Sequence, residues 1–296
     1  MSRRTEGNSP LTFVMVITLL VAGVLGMAVL GLPAQQLPDP AASASRTPLP
    51  LPTGGAAARR VRLYTLADHP VLAAGIMPDR VSCPLPPFDA SPVPLHAYYE
   101  ATARCLDGVW QPVLTKLNLP SARAKIDSSD SVRDTPCGPA PPPSKAVAFY
   151  CSANETIYMP RDRVLSSFTA HPRWVFLLSV LAHEYGHHVQ NLSGMLTAAH
   201  DEQEEAGQNA LLALEWQRRV ELQATCLAGL SIWAASGEGS LTKADGDAVI
   251  AEHRESKATS DTHGSRSNNV AWVGRGHRSG ATASCNTWSA SSDEVR

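Results

Sequence analysis

His183-Glu184-Tyr185-Gly186-His187 sets two imidazoles four residues apart, with a carboxylate beside the first. In a helix, residues four apart lie about 40° apart around the axis and one turn along it. His183 and His187 therefore project from one face and can meet a single metal ion at roughly 2.0–2.1 Å. Glu184 can reach a water at that metal but not easily the metal itself. Zinc lowers the pKa of such a water towards ~7, and a neighbouring carboxylate can take its proton and pass it to a leaving amine. The expected chemistry is metal-assisted hydrolysis with Zn2+ as cofactor.

A catalytic zinc needs a third protein ligand. Glu221, in Arg219-Val220-Glu221-Leu222-Gln223-Ala224-Thr225-Cys226, lies in an amphipathic stretch that would pack beside the first helix. A lone helix glutamate can also be a solvated one. His200 is the alternative ligand, in an expected turn at Ala198-Ala199-His200-Asp201. His188 points roughly 100° away from His187 and is expected at the surface or as an outer partner.

The elements that must position these groups follow from periodicity. Val175, Phe176, Leu177, Leu178, Val180 and Leu181 precede the pair, so Trp174 to about Leu192 reads as a buried helix. Gly186 inside it costs about 1 kcal/mol against Ala, which points to another segment packed closely there. Leu95–Leu117 shows helical periodicity, with Pro112 expected to kink or interrupt it. Short strands are expected at 122–127, 146–150 and 156–159, the last flanking the cleft as an edge that could pair with an extended peptide. Glu202–Ala235 reads as a second long helix, Thr242 to about Ser256 as a third, and Val270–Ser279 as a short one stopped by Gly280. The expected class is α+β, mostly helical with a small sheet.

In these residues the chain resembles the neutral zinc metallopeptidase family of bacteria. The resemblance covers about Cys83 to Trp288. It rests on Cys137-Gly138, Phe149-Tyr150-Cys151 and Thr156-Ile157-Tyr158, then on Leu181-Ala182-His183-Glu184-Tyr185-Gly186-His187-His188-Val189-Gln190. Glu221-Leu222-Gln223-Ala224, Cys226-Leu227-Ala228-Gly229, His263-Gly264-Ser265 and Cys285-Asn286-Thr287 follow in order. The resemblance implies a zincin-like fold with a thermolysin-like helix pair. It also implies His183, His187 and Glu221 as zinc ligands and Glu184 as general base. One departure matters: members of the family usually carry Asp where this chain has Thr225. That Asp should hydrogen-bond a ligand histidine, and losing such a partner typically costs about 10–100-fold in metal affinity or activity.

The chain has 296 residues, enough for one or two domains with a sizeable core. Its net charge of -2 gives no reason to expect nucleic acid as a partner. Leu11–Leu32 is a 22-residue stretch without a charge, long enough to span about 30 Å of hydrocarbon. Arg3 and Arg4 precede it and the next cation is Arg46, so the N-terminus is expected in the cytoplasm and the remainder outside. The expected organisation is a cytoplasmic tail at 1–10, a transmembrane anchor at 11–32, a Pro/Ala-rich linker at 33–60, a metallopeptidase domain at 61–288 and a frayed polar tail at 289–296.

Six widely spaced cysteines without a CxxC pair suit disulfides in an oxidising compartment. Proximity to the motifs favours Cys137 with Cys151 and Cys226 with Cys285, which leaves Cys83 with Cys105. A bond from Cys137 to Cys151 would close a loop worth about 3 kcal/mol in the chain-entropy model.

The expected function is a membrane-anchored, extracytoplasmic zinc metallopeptidase acting on peptides or proteins. One alternative is a catalytically weak scaffold or binding protein, which Thr225 favours. Another is hydrolysis of a non-peptide amide. A donor to the developing oxyanion is also expected, and His263 and Tyr158 are its candidates.

Overall fold

The computed structural model describes residues 66–167, 173–207, 211–255 and 261–296. The expected tail, anchor and linker (1–60) lie outside them. No helix among the described residues is long and apolar enough to cross a membrane.

α1 (Pro92–Lys116) starts on Pro92, where the missing amide of proline costs no helical hydrogen bond. It runs through Pro112 without a break, so the expected interruption does not occur. Its buried face carries Tyr98, Tyr99, Leu106, Val109 and Trp110. After the strands come α2 (Arg161–Ser166) and α3 (Arg173–Ser193), the helix that bears the His pair. α4 (Met195–Ala206) and α5 (Leu211–Ala235) replace the single helix expected over 202–235. α4 ends at Gly207 with φ +82°, a left-handed conformation that glycine adopts without strain and that ends a helix. α6 (Lys243–Glu255) and α7 (Arg266–Ser279) follow, and α7 stops at Gly280 with φ +65°, as its sequence predicts.

The fold is α+β and mostly helical. β1 (Lys125–Asp127), β4 (Phe149–Cys151) and β5 (Thr156–Tyr158) form a sheet in the order β1-β5-β4. β5 runs parallel to β1 and antiparallel to β4, with Ile157 opposite both Ile126 and Tyr150. The strand expected at the edge is thus the central one, because β1 pairs with it across a long separation that local pattern does not reveal. β2 (Asp134–Thr135) and β3 (Gly138–Pro139) make a two-residue ladder in the Pro-rich loop.

Three disulfides form, Cys83–Cys105, Cys137–Cys151 and Cys226–Cys285, in the expected pairing. Residues 289–296 are not frayed. α8 (Ser292–Val295) opens with a capping box between Ser291 and Glu294, and Val295 is fully buried. Its one apolar residue, too little to show as a pattern, is what docks it.

Two helix crossings set the site. α3 crosses α5 where a Cβ on Gly186 would come 2.7 Å from the Ala224 carbonyl oxygen. This is the close approach that the cost of that glycine predicts. α7 crosses α5 with Gly229 against the Val273 carbonyl and Gly276 against that of Cys226. Side chains at either glycine would push α7 away from α5.

Candidate metal centre

α3 and α5 bring together the residues that the sequence singles out. His183 Nε2 lies 3.3 Å and His187 Nε2 3.4 Å from Glu221 Oε2. One donor atom from each of His183, His187 and Glu221 falls within 4.8 Å of the other two. Among the described residues this is the one His/Cys/Asp/Glu group so arranged. Glu221 sits on the buried face of α5, 8% exposed, and its other oxygen accepts from Gln217 Nε2 at 3.0 Å.

The outer nitrogens of both histidines are engaged. His187 Nδ1 is 2.9 Å from Gln190 Oε1. Gln190 Nε2 donates to the Val220 carbonyl and to Gln223 Oε1, both at 2.9 Å. A carbonyl accepts only, so the amide nitrogen must face Val220 and the amide oxygen must face His187. His187 therefore donates from Nδ1, which leaves Nε2 as the nitrogen turned towards Glu221. His183 Nδ1 lies 3.2 Å from the Thr225 hydroxyl. Two imidazole nitrogens and a carboxylate oxygen, converging on one point with their outer partners in place, are a donor set that suits zinc.

Burial opposes charge here, but the ion-pair partners outweigh it. Despite burial, the adjacent His187 and hydrogen bonds from the imidazoles hold the Glu221 carboxyl well below its ordinary value. Burial would lower His187, yet the Glu221 carboxylate raises it to about 9. At Glu184 burial wins and pushes the carboxyl up, against the pull of His183 and His187. A metal ion bound among these three groups would displace the protons that Glu221 draws onto the imidazoles.

Glu184 and His183 border a cavity of about 350 Å3. Val147, Phe176 and Val180 form an apolar wall, while Ser179, Glu252 and His253 line it one helical turn before His183. The segment Pro143–Ala148, just before β4, flanks this cavity in place of β5.

The other candidates separate clearly. His263 is at the centre: its Nε2 is 3.3 Å from Glu221 Oε2, and its ring stacks near that of His183 at 6.4 Å between centroids. Tyr158 lies on the central strand, stacked on Phe149, with its hydroxyl accepting from Asn154, and it does not line the cavity. His200 is exposed on α4 beside Glu204. His188 is fully buried, which corrects its expected surface position. It bonds Tyr150 through Nδ1 at 3.0 Å and the Ala122 carbonyl through Nε2 at 3.1 Å. Sequence reasoning gave no role to Gln190 or Asn269. The spacing of Gln190, three residues after His187, could have flagged it. Nothing local flags Asn269.

A family model described as "Putative neutral zinc metallopeptidase" matches residues 96–288. The uncharacterized protein Rv2575 of Mycobacterium tuberculosis (strain H37Rv) is 32% identical over 216 residues, which is 64% of this chain and 69% of that protein. The uncharacterized protein YpfJ of Escherichia coli (strain K12) is 30% identical over 160 residues, 47% of this chain and 53% of that protein. No solved structure matches the chain.

Proposed function

We propose, because this chain belongs to the neutral zinc metallopeptidase family, that it hydrolyses peptide bonds. The observation that carries the reading is the convergence of His183 Nε2 and His187 Nε2 on Glu221 Oε2, at 3.3 and 3.4 Å, beside the buried Glu184. The pair α3 and α5 is read as a zincin-like, thermolysin-like helix pair, with His183, His187 and Glu221 as the zinc ligands.

Bound zinc supplies Lewis acidity and makes a water nucleophilic near neutral pH. Glu184 takes the proton of the attacking water on its carboxylate and delivers it to the leaving amine. His263, beside Glu221, is assigned to donate to the oxyanion that develops on the attacked carbonyl. Gln190 and Thr225 hold the two ligand rings in orientation. The wall of Val147, Phe176 and Val180 excludes water and receives a substrate side chain.

The N-terminal stretch 11–32 is assigned as a single-pass anchor, with the domain outside the cytoplasm acting on peptides or proteins there. The uncharged run Leu11–Leu32 and three disulfides support this.

The test is zinc analysis of the purified full chain with digestion of a peptide library. About one zinc per chain is expected, with cleavage that a chelator abolishes and zinc restores. A second reading, a catalytically weak scaffold, is favoured by the hydroxyl rather than carboxylate partner on His183. Full zinc loading with peptide binding but no cleavage would select it.

A further inference from the structure

Thr225 alone cannot decide which nitrogen of His183 carries the proton. A hydroxyl both donates and accepts, so its contact with His183 Nδ1 at 3.2 Å is compatible with either ring tautomer. The next residue along settles it. Thr225 Oγ1 is also 3.4 Å from Asn269 Oδ1, across the crossing of α5 and α7. Asn269 Nδ2 lies 2.8 Å from the His263 carbonyl and 3.1 Å from the Ser265 carbonyl.

The direction of every bond follows from those two carbonyls. Carbonyl oxygens only accept, so the amide nitrogen must face them and the amide oxygen must face Thr225. That oxygen also only accepts, so the single hydroxyl proton of Thr225 goes to Asn269. Thr225 then presents a lone pair to His183, and His183 must donate from Nδ1. Its Nε2, 3.3 Å from Glu221 Oε2, is then the nitrogen that can share a proton with that carboxylate and give it up where a metal ion would sit. The same amide fastens the backbone of His263, whose ring stands over the centre. Asn269 lines the cavity, and the glycine contacts between α5 and α7 bring it within reach.

We propose that Asn269 is a positioning residue with two linked effects, fixing His183 in its Nδ1-protonated form through Thr225 and holding His263 beside the metal centre. The consequence for zinc affinity rests on the reading of His183 as a ligand. The proton on Nδ1 does not, and it can be observed without metal. In this chain the Thr225–Asn269 pair does the orienting that a carboxylate would do elsewhere, without bringing a charge.

The test uses the full chain stripped of metal, with 15N-labelled histidine, and the variants Thr225→Val, Asn269→Ala, Asn269→Asp and Thr225→Val/Asn269→Ala. In the metal-free wild type, 15N shifts should show a proton on His183 Nδ1, with or without a second one shared between Nε2 and Glu221, and Thr225→Val and Asn269→Ala should each lower the Nδ1 occupancy. Zinc affinity, measured by competition with a chelating dye, should fall about 10-fold or more in each. The double variant should be no worse than Thr225→Val alone, because the two act through one bond. Asn269→Asp keeps the acceptor for Thr225 but loses the donor to His263. It should hold zinc near the wild-type affinity while kcat falls with KM little changed. Wild-type His183 with no proton on Nδ1 would overturn the proposal, and so would independent, multiplying losses in the double variant. An Nδ1-protonated His183 combined with a His183→Ala variant of unchanged zinc affinity would leave the coupling intact and sink the metal-site reading instead.

Discussion

The Tyr185 hydroxyl donates to Asp107 Oδ1 at 2.7 Å and ties α3, the helix of the His pair, to α1. Both side chains are buried. Burial raises the Asp107 carboxyl, while the bond from Tyr185 and the nearby Arg123 pull it down. Tyr185→Phe should cost about 1–3 kcal/mol near neutral pH, since it leaves a buried carboxylate short of a donor. A raised carboxyl holds its proton to higher pH in the native state, so its protonated form is the better tolerated one at low pH. The deficit of the variant should therefore shrink as pH falls and Asp107 protonates. Denaturant unfolding at neutral and acidic pH measures it, and a deficit that grows on acidification would count against this bond.

Gly186→Ala should destabilise the protein although alanine is the better helix former by about 1 kcal/mol. The added methyl would meet the Ala224 backbone at 2.7 Å, and rigid backbone cannot yield as a side-chain tip can. Overpacking of this kind costs about 1–3 kcal/mol. Because the crossing also sets the spacing of His187 and Glu221, zinc affinity should drop with melting temperature. A variant as stable and as zinc-avid as wild type would show that the helices part freely.

Glu184 and Glu221 should fail in different ways. Glu184→Gln keeps its shape without a proton acceptor, so zinc should stay while turnover falls about 10²–10⁴-fold. Glu221→Ala removes the proposed third ligand, and zinc content and melting temperature should fall together. His200→Ala should change neither, because His200 faces solvent beside Glu204. Zinc stoichiometry and thermal melts of the three variants distinguish these roles.

His253 should make the protein acid-sensitive. It bonds Ser179 through Nε2 at 2.8 Å, and burial, with the nearby His183 adding to it, lowers its pKa to about 4. The unfolded chain titrates near ~6.5. Between those values the unfolded chain takes up a proton that the native state refuses. Stability is thus full above about pH 6.5 and falls towards pH ~4. The loss is on the order of 3 kcal/mol. In metal-free protein, His253→Asn should show a smaller fall between about pH 7 and pH 4. Parallel curves for the two proteins would mean that His253 is as easily protonated folded as unfolded.

Much of the centre was legible because its logic is local. His183, Glu184 and His187 share one helix, and spacing alone puts them on one face. The cost of Gly186 announced a close neighbour before Ala224 could be named. Glu221 was harder, since only its apolar helix and the family resemblance set it apart from a solvated glutamate. What stayed hidden depends on partners distant in sequence. Tyr185 and Asp107 are 78 residues apart, and Thr225 and Asn269 are 44 apart. His188 looked exposed because a helical wheel shows which way a side chain points but not what lies there, and here Tyr150 and Ala122 do. The sheet order went unread for the same reason: β1 joins β5 rather than its nearer neighbours. The break at Gly207 was masked by the polar, helix-favouring run Asp201–Glu205 before it.

The Cys226–Cys285 disulfide stands between the two arms that orient His183 and His187. Cys226 directly follows Thr225, and the Cys285 carbonyl accepts from Gln223 Nε2 at 3.2 Å, behind the amide of Gln190. Reducing this bond should loosen both arms at once, so that the oxidation state of the chain and its affinity for zinc should be linked. Chains that meet zinc while still reduced should load it less well than oxidised ones. Protein produced in a reducing cytoplasm could then arrive folded yet metal-poor, and an inactive preparation of that kind would report on its oxidative history rather than on the chemistry of the site.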